Sequence, residues 1–255
     1  SGDDKYEKRD KIAYITINRP EAMNALLPEM TEGIEEAFND FQQDPNRICA
    51  IFTGAGEKAF CAGADLKATI PMLTGSGLQM KDPTKRFFSD ITKPIIAAVN
   101  GFCLAGGTEM LLGTDIRVAA EHATFGLTEP RWALMAGGGS HVRLPRQIPW
   151  CRAMEILLMG DQISAQDALS FGLITRVVPA DQVIPTAEKI ANRIAENGPF
   201  AVRKIKEAAT KVYNMSWDEA FYTEFLIASQ VFASEDAKEG PKAFAEKRKP
   251  NFVGR

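Results

Sequence analysis

The sequence predicts an α/β protein that ends in a helical segment. Through the first two thirds of the chain, short apolar runs rich in β-branched residues alternate with amphipathic segments, whereas from about Asp181 the patterns are helical throughout. Near-continuous apolar strands are typical of sheets that are covered on both faces. We therefore expect strands at 12–17, 48–53, 95–99, 116–120 and 173–178.

Two segments between these strands have patterns of their own. Met30, Ile34, Phe38 and Phe41 recur at helical spacing, which predicts a helix that covers the sheet. Residues 68–88 combine prolines and glycines with large apolar side chains. This composition predicts a long mobile loop or a broken helix rather than a linker between domains.

The C-terminal part is predicted to form consecutive helices. Pro199 is placed to open one of them, and Ser216 with Glu219 matches a capping box at the start of the next. We expect an α/β core at 3–195 and a helical oligomerisation segment at 196–255. The apolar helix positions indicate packing on another subunit, with packing on the core as the alternative: Val202, Ile205, Ala209, Val212, Trp217, Phe221, Phe225, Ala228 and Phe232.

Composition excludes several classes of protein. A net charge of -3 gives no general attraction to nucleic acid or to anionic membranes. No apolar stretch approaches the roughly 18 residues that span a bilayer, and we expect a cytoplasmic protein. Neither a disulfide framework nor a zinc site is indicated, because the cysteines are scattered and each lies in an apolar run. Buried, reduced thiols are expected at Cys49, Cys61, Cys103 and Cys151.

Familiar catalytic patterns are also poorly matched. The chain has two histidines, His122 and His141, and no H-E-x-x-H motif, so a histidine-based metal site is not expected. The run 137–141 does not fit a nucleophile elbow, because adjacent Ser and His side chains diverge in regular structure. The run 54–58 lacks the spacing of a phosphate loop and is interpreted as a turn.

Two glycine-containing segments after predicted strands are better candidates for chemistry. They are Phe60–Lys67 and Asn100–Glu109, and the second opens an apolar helical pattern. Small residues at a strand-to-helix turn allow a ligand to approach the backbone, and the first N–H groups of a helix lack an intrahelical partner. Such groups can bind an oxyanion. The alternative is that these glycines merely permit tight turns.

These two segments resemble the oxyanion-hole signatures of the enoyl-CoA hydratase/isomerase (crotonase) superfamily. Three further segments resemble that family in the same order: its N-terminal motif at 18–26, its second carboxylate segment at 125–129 and its C-terminal ending at 243–252. The likeness extends from about Ile12 to Phe252. It implies a crotonase-like fold, a spiral of ββα units with a helical C-terminal segment.

The resemblance also implies the reaction and its residues. The backbone N–H groups of Ala64 and Gly106 are expected to hold a thioester oxygen, while Glu109 is expected to activate water and Glu129 to transfer a proton at the α-carbon. The alternative is that the two glutamates exchange these roles or share them through one water. Residue types alone do not distinguish these glutamates from acids on solvated faces. Two matched glutamates favour an enoyl-CoA hydratase, a lyase, over a Δ3,Δ2-enoyl-CoA isomerase. A non-enzymatic RNA-binding relative is a third alternative, weakened by the absence of a basic helix.

Further expectations follow from the same likeness. The acyl-CoA substrate brings its own coenzyme A, and no metal or redox cofactor is expected. Gly137 is expected to supply a backbone contact to the reacting water, and a homotrimer or homohexamer is the expected assembly. Where many relatives have glycine, this chain has Ala105. Contacts to coenzyme A are expected at Ala22, Ala62, Asp65, Leu66, Lys67 and Lys247.

Overall fold

The computed structural model describes residues 4–255, so the first residue of the predicted core, residue 3, lies outside the described part. Ten strands form, in chain order: β1 (Asp4–Arg9), β2 (Ile12–Ile17), β3 (Cys49–Gly54), β4 (Ala59–Cys61), β5 (Ile95–Val99), β6 (Phe102–Leu104), β7 (Ile116–Ala120), β8 (Thr124–Gly126), β9 (Ile163–Ser164) and β10 (Arg176–Val178).

Ten α-helices alternate with and then follow these strands. They are α1 (Pro28–Gln43), α2 (Ile70–Ser76), α3 (Gly106–Leu112), α4 (Ser140–Gln147), α5 (Trp150–Met159), α6 (Ala165–Phe171), α7 (Val183–Ala195), α8 (Pro199–Val212), α9 (Trp217–Phe232) and α10 (Glu235–Ala245). Short 3-10 helices lie at Pro20–Ala22, Glu129–Trp132 and Ala180–Gln182.

The strands form two sheets. The larger has the order β1-β2-β3-β5-β7-β10, and the smaller has the order β4-β6-β8-β9. In the larger sheet β1 pairs antiparallel with β2 and the other strands are parallel. In the smaller sheet β4, β6 and β8 are parallel, and β9 is antiparallel. Along the chain, three strands of the larger sheet are each followed by a short strand of the smaller sheet: β3 by β4, β5 by β6 and β7 by β8.

Both faces of the larger sheet are buried, as the apolar strands predict. One face packs against α1 through Phe38 and Phe41, and Phe38 meets Phe52 of β3 at a ring-centroid distance of 5.3 Å. The other face packs against α7, whose buried side is made of small residues such as Ala187 and Ala191. Small side chains let this helix lie close to the sheet.

Most predicted elements are confirmed, including the broken helix at 68–88, while the last predicted strand and Cys151 differ from the prediction. The last predicted strand begins at Arg176 rather than at 173, because Leu173 and Ile174 complete the capped end of α6 by bonding back to Ala168. Residues 68–88 form a broken helix, of which α2 is the helical part. Cys151 is exposed rather than buried, because α5 turns Ala153 and Ile156 toward the core and Cys151 away from it.

The C-terminal helices carry the predicted features at their ends. Pro199 occupies the first turn of α8, and the Ser216–Glu219 capping box is present at the start of α9. Their apolar stripes are largely exposed in the single chain, for example Ile205 at 67% and Phe225 at 63%. Among residues 4–255 no helix is long and apolar enough to cross a membrane.

Candidate active site

Glu109 and Glu129 lie on segments that leave neighbouring strands of the smaller sheet. β6 leads into α3, which contains Glu109, and β8 leads into the 3-10 helix that begins at Glu129. Because β6 and β8 are parallel and paired, their carboxyl ends meet at one sheet edge. Ala105 N donates to Gly126 O at 2.9 Å, and the Thr108 hydroxyl donates to the same oxygen at 2.8 Å. These bonds join the two segments directly.

The Glu109 carboxylate is buried and held by three donors. Gly138 N lies 2.8 Å from both of its oxygens, and Oε1 also accepts from the Ser140 hydroxyl at 3.0 Å and from Ser140 N at 3.4 Å. Burial raises the pKa of Glu109 above the usual value, and the hydrogen bonds from Ser140 and Gly138 oppose that rise. This arrangement fixes the orientation of a carboxyl group that is 5% exposed.

The glycine run at 137–139 lies against Glu109 on one side and Arg86 on the other. Gly138 donates to Glu109, whereas the carbonyl of Gly137 accepts a hydrogen bond from Arg86 Nε at 3.0 Å. The expected backbone contact of Gly137 to the reacting water stays a prediction. A Cβ at Gly138 would overlap Glu109 Oε2, so the close approach requires glycine.

Arg86 supports this turn from the opposite side. Besides its bond to Gly137, its Nη1 donates to Pro83 O at 2.9 Å, and a Cβ built on Gly139 would lie 2.9 Å from Arg86 Cγ. One side chain thereby joins the 68–88 segment to the turn that holds Glu109. Sequence reasoning missed Arg86, because nothing in its local pattern distinguishes it from the other basic residues.

Glu129 lies in a less saturated environment. Its Oε2 is buried and has no hydrogen-bond partner within residues 4–255. The pKa of Glu129 is raised to about 7, chiefly by burial and to a smaller extent by the negative charge of Glu109. Near neutral pH the site therefore combines a hydrogen-bonded Glu109 with a Glu129 that holds its proton part of the time.

Two free N–H groups lie side by side near these carboxyls. The backbones of Gly63 and Gly106 approach so closely that a Cβ on Gly106 would lie 3.6 Å from Gly63 Cα and 3.7 Å from Ala64 N. In the described chain neither Ala64 N nor Gly106 N donates to a protein acceptor. Gly106 is the first residue of α3, as predicted. Ala64 is not at a helix start, because α2 begins at Ile70.

Ala105 marks a strained point beside these N–H groups. Its φ of 51° and ψ of -121° fall in a region that glycine adopts readily and alanine does not. Such a conformation costs about 1–3 kcal/mol and persists where the surroundings fix it. Here the bond from Ala105 N to Gly126 O and the adjacent start of α3 provide that constraint.

Five of the six predicted coenzyme A contacts lie near one another. Ala22 is in the first 3-10 helix, next to which Ala62 N donates to Met23 O at 3.1 Å. The Asp65 carboxylate accepts a hydrogen bond from Lys67 N and forms an ion pair with Arg19. Leu66 and Lys67 are both exposed. The sixth predicted contact, Lys247, lies in a different part of the sequence, just after α10.

The Asp65 interactions shape this loop internally. Its Oδ2 lies 2.8 Å from Arg19 Nη1, and its Oδ1 accepts hydrogen bonds from Lys67 N at 2.9 Å and Ala68 N at 3.0 Å. These bonds lower the pKa of Asp65, with Arg19 as the largest cause. Its carboxylate therefore orders the loop, while the neighbouring Lys67 side chain is left to the solvent.

Asn24 anchors the neighbouring segment, a role that the sequence pattern did not reveal. It is fully buried with a left-handed φ of 55°. Its amide donates to Ala59 O at 2.7 Å and to Ala55 O at 3.0 Å, while its carbonyl accepts from Arg19 N at 2.8 Å. The amide thus ties the first 3-10 helix to β4.

Comparisons with known proteins agree with this geometry. Residues 7–255 match the family model described as enoyl-CoA hydratase/isomerase. The chain is 46% identical to enoyl-CoA hydratase EchA19 of Mycobacterium tuberculosis, covering 98% of this chain and 96% of that protein. It is 40% identical to (E)-benzylidenesuccinyl-CoA hydratase of Thauera aromatica, covering 97% and 98%.

A solved structure of enoyl-CoA hydratase from Mycobacterium tuberculosis superimposes with a TM-score of 0.91. It is 39% identical to this chain, and the match covers 100% of both chains. Such similarity confirms the predicted crotonase-like α/β fold with its helical C-terminal segment.

The pKa of Glu129 provides a direct test of the site's electrostatics. Infrared difference spectra are expected to show a protonated carboxyl that titrates with a pKa of about 7 and that is lost in Glu129→Gln. In Glu109→Gln the midpoint is expected to fall, because a nearby negative charge is removed. The exposed Glu121→Gln is the control. A Glu129 carboxyl fully ionised at pH 5 would contradict this description.

Proposed function

Because the chain belongs to the enoyl-CoA hydratase/isomerase family, we propose that it is an enoyl-CoA hydratase, a hydro-lyase. It adds water across the 2,3 double bond of a trans-2-enoyl-CoA and yields a 3-hydroxyacyl-CoA. The observation that carries this proposal is the presence of two carboxyl groups in different environments beside a pair of free N–H groups.

In the proposed mechanism, Ala64 N–H and Gly106 N–H receive the thioester oxygen. Conjugate addition to an enoyl thioester moves negative charge onto this oxygen, and preorganised donors stabilise the resulting enolate. Backbone groups suit this role, since they neither titrate nor reorient. Gly106 adds the partial positive charge at the start of α3.

The two glutamates divide the proton transfers. Glu109, oriented by Gly138 and Ser140, accepts a proton from the attacking water as the water adds to the β-carbon. Glu129, whose pKa is raised to about 7, delivers a proton to the α-carbon. Water supplies both the hydroxyl group and, through the glutamates, a proton, so the addition balances without a metal or redox cofactor.

Coenzyme A binding is proposed at the exposed strip beside the oxyanion hole. Ala22, Ala62, Asp65 and Leu66 offer backbone and apolar contacts there, and the exposed Lys67 ammonium can pair with a phosphate. Lys247 is proposed to reach the substrate of a neighbouring subunit. Lys247 is exposed and follows α10 in the C-terminal helical segment for which subunit contacts are also proposed.

Assembly into a homotrimer or homohexamer is proposed for the exposed apolar surface of α9. Five of its large side chains are more than half exposed: Trp217 at 79%, Phe221 at 58%, Tyr222 at 64%, Phe225 at 63% and Phe232 at 83%. Monomers rarely expose so much contiguous apolar surface. Among residues 4–255 the cysteines Cys49, Cys61, Cys103 and Cys151 form no disulfide, which supports a reducing compartment, the cytoplasm.

The catalytic proposal predicts the effect of neutral glutamate analogues. Glu109→Gln and Glu129→Gln should each lower kcat about 10²–10⁴-fold with a smaller change in KM, because proton transfer is lost while the binding contacts remain. Products from a panel of enoyl-CoA thioesters would be followed by mass, since hydration adds one water and isomerisation adds none.

Glu121→Gln, which removes an exposed carboxylate, serves as the control and should retain wild-type turnover. Wild-type rates in both site variants would overturn the mechanism. A product of unchanged mass that contains a shifted double bond would instead identify an isomerase.

The assembly proposal predicts a solution mass of three or six times the 27.9 kDa chain mass. Phe221→Ser combined with Phe225→Ser should shift light-scattering profiles toward smaller species, because it replaces apolar area that a subunit contact would bury. Lys189→Ser, on the solvent side of α7, is the matched control. A monomeric wild-type protein would contradict the proposal.

A further inference from the structure

A cavity lies apart from the two glutamates, at one end of the larger sheet. It has a volume of about 920 Å³. Its lining includes Lys11, Arg47 and Lys93, which precede β2, β3 and β5 at the amino ends of these parallel strands. The chain reaches Glu109 from the opposite, carboxyl end of β5 through β6. The cavity is therefore separate from the proposed active site.

This cavity, called here the basic cleft, is completed by the end of α7, the start of α8 and residues 249–254. Its lining contains two acidic residues, Asp10 and Glu196. Against these it holds six basic residues: Lys11, Arg47, Lys93, Arg193, Arg203 and Lys249. The difference is a formal charge of +4 on a chain whose net charge is -3. The cleft is thus positively charged, although the molecule as a whole carries a negative charge.

Four of these six basic groups, Lys93 and three others, have no carboxylate within ion-pair distance in the described part of the chain. Arg193 pairs with Glu196 at 3.7 Å and Arg47 approaches Asp44 at 3.8 Å. Within residues 4–255, Lys11, Arg203 and Lys249 form no ion pair. Lys11 has a single long hydrogen bond, from Nζ to Ala195 O at 3.4 Å. Three cations therefore retain donors for a ligand.

Lys93 is a buried member of the same group, and the neighbouring charges affect its pKa. It is 3% exposed, and its ammonium donates to the carbonyls of Phe41 at 2.8 Å, Asp44 at 2.5 Å and Arg47 at 2.7 Å. Burial lowers the pKa of Lys93 to about 8, and Arg203 is the next cause. Nearby, Arg47 Nε is buried without a hydrogen-bond acceptor. The cations repel one another, and a bound anion would relieve that repulsion.

We propose that the basic cleft binds a small molecule that carries a diphosphate or triphosphate group. Its volume lies within the range of small-molecule sites. Three unpaired cations match the charge of such a group, and guanidinium and ammonium donors suit phosphate oxygens. Nucleotides and inorganic polyphosphates share this chemistry. The site is independent of the proposed hydratase activity.

Calorimetric titration with inorganic pyrophosphate tests the proposal, with inorganic triphosphate, ADP and adenosine in parallel arms. Saturable binding of one pyrophosphate per chain is expected. If pyrophosphate and ADP bind alike while adenosine does not, the diphosphate group is the determinant. Citrate is the control for charge alone, and equal affinity for citrate would overturn the assignment to phosphates.

Variants locate the binding. Arg203→Met combined with Lys249→Met should weaken pyrophosphate binding by at least about tenfold, because each change removes charged hydrogen-bond donors. Lys249→Met alone, in an exposed tail position, should weaken it less and guards against misfolding of the pair. Lys189→Met removes an exposed cation of α7 outside the cleft and should leave affinity unchanged.

Proton uptake gives a second readout. At pH 8, pyrophosphate should be bound with uptake of a fraction of a proton, since a nearby anion raises the pKa of Lys93 from about 8. Titrations in two buffers of different ionisation enthalpy measure this uptake. Absence of saturable binding, or binding that is unchanged in the double variant, would overturn the proposal.

Discussion

The close approach of two backbones at Gly63 and Gly106 determines how the rest of the site is built. A Cβ on Gly63, whose φ is +99°, would lie 2.6 Å from Ala105 Cβ and 3.2 Å from Gly106 N, so a side chain at Gly63 would push the loop after β4 away from the start of α3. A Cβ on Gly106 would make only ordinary contacts, the nearest at 3.6 Å from Gly63 Cα. Two further glycines are required for the contact between the β4 segment and the β6–α3 segment, which is called here the joint. A Cβ on Gly107 would overlap the Cys61 carbonyl, and one on Gly101 would overlap the Lys58 carbonyl. Small residues therefore set the spacing between Ala64 N and Gly106 N, and the strained Ala105 immediately precedes Gly106.

Around this joint the protein places two carboxyl groups with unequal support. Glu109 is saturated with donors from the 137–140 turn, whereas Glu129 has a buried oxygen without a partner. Burial raises the pKa of both, but only Glu109 gains compensating hydrogen bonds from neighbouring residues. Environments that differ in this way favour different protonation states in the same pocket, which is what a reaction that needs both a base and an acid requires.

Much of the fold could be predicted because its long strands and amphipathic helices have clear periodicity. β2, β5 and β7 were predicted with their observed bounds, and α1 formed where its apolar spacing indicated. The smaller sheet was missed, since strands of three residues such as β4, β6 and β8 carry no detectable period. Because that sheet aligns the segments that contain Glu109 and Glu129, the relative positions of these segments could not be predicted from local sequence patterns. Glu109 and Glu129 were selected through family-matched positions, while Arg86 and Gly138 depend on contacts between segments distant in the sequence.

In the proposed reaction, Ala64 N–H and Gly106 N–H polarise a thioester carbonyl beside the two glutamates. Isotope-edited infrared spectroscopy tests this most directly, using Glu109→Gln to slow turnover and an enoyl-CoA labelled with ¹³C at the thioester carbonyl. The carbonyl band of the bound thioester is expected at lower wavenumber than in water, because two fixed donors weaken the C=O bond. A band at the same or higher wavenumber than in water would contradict it.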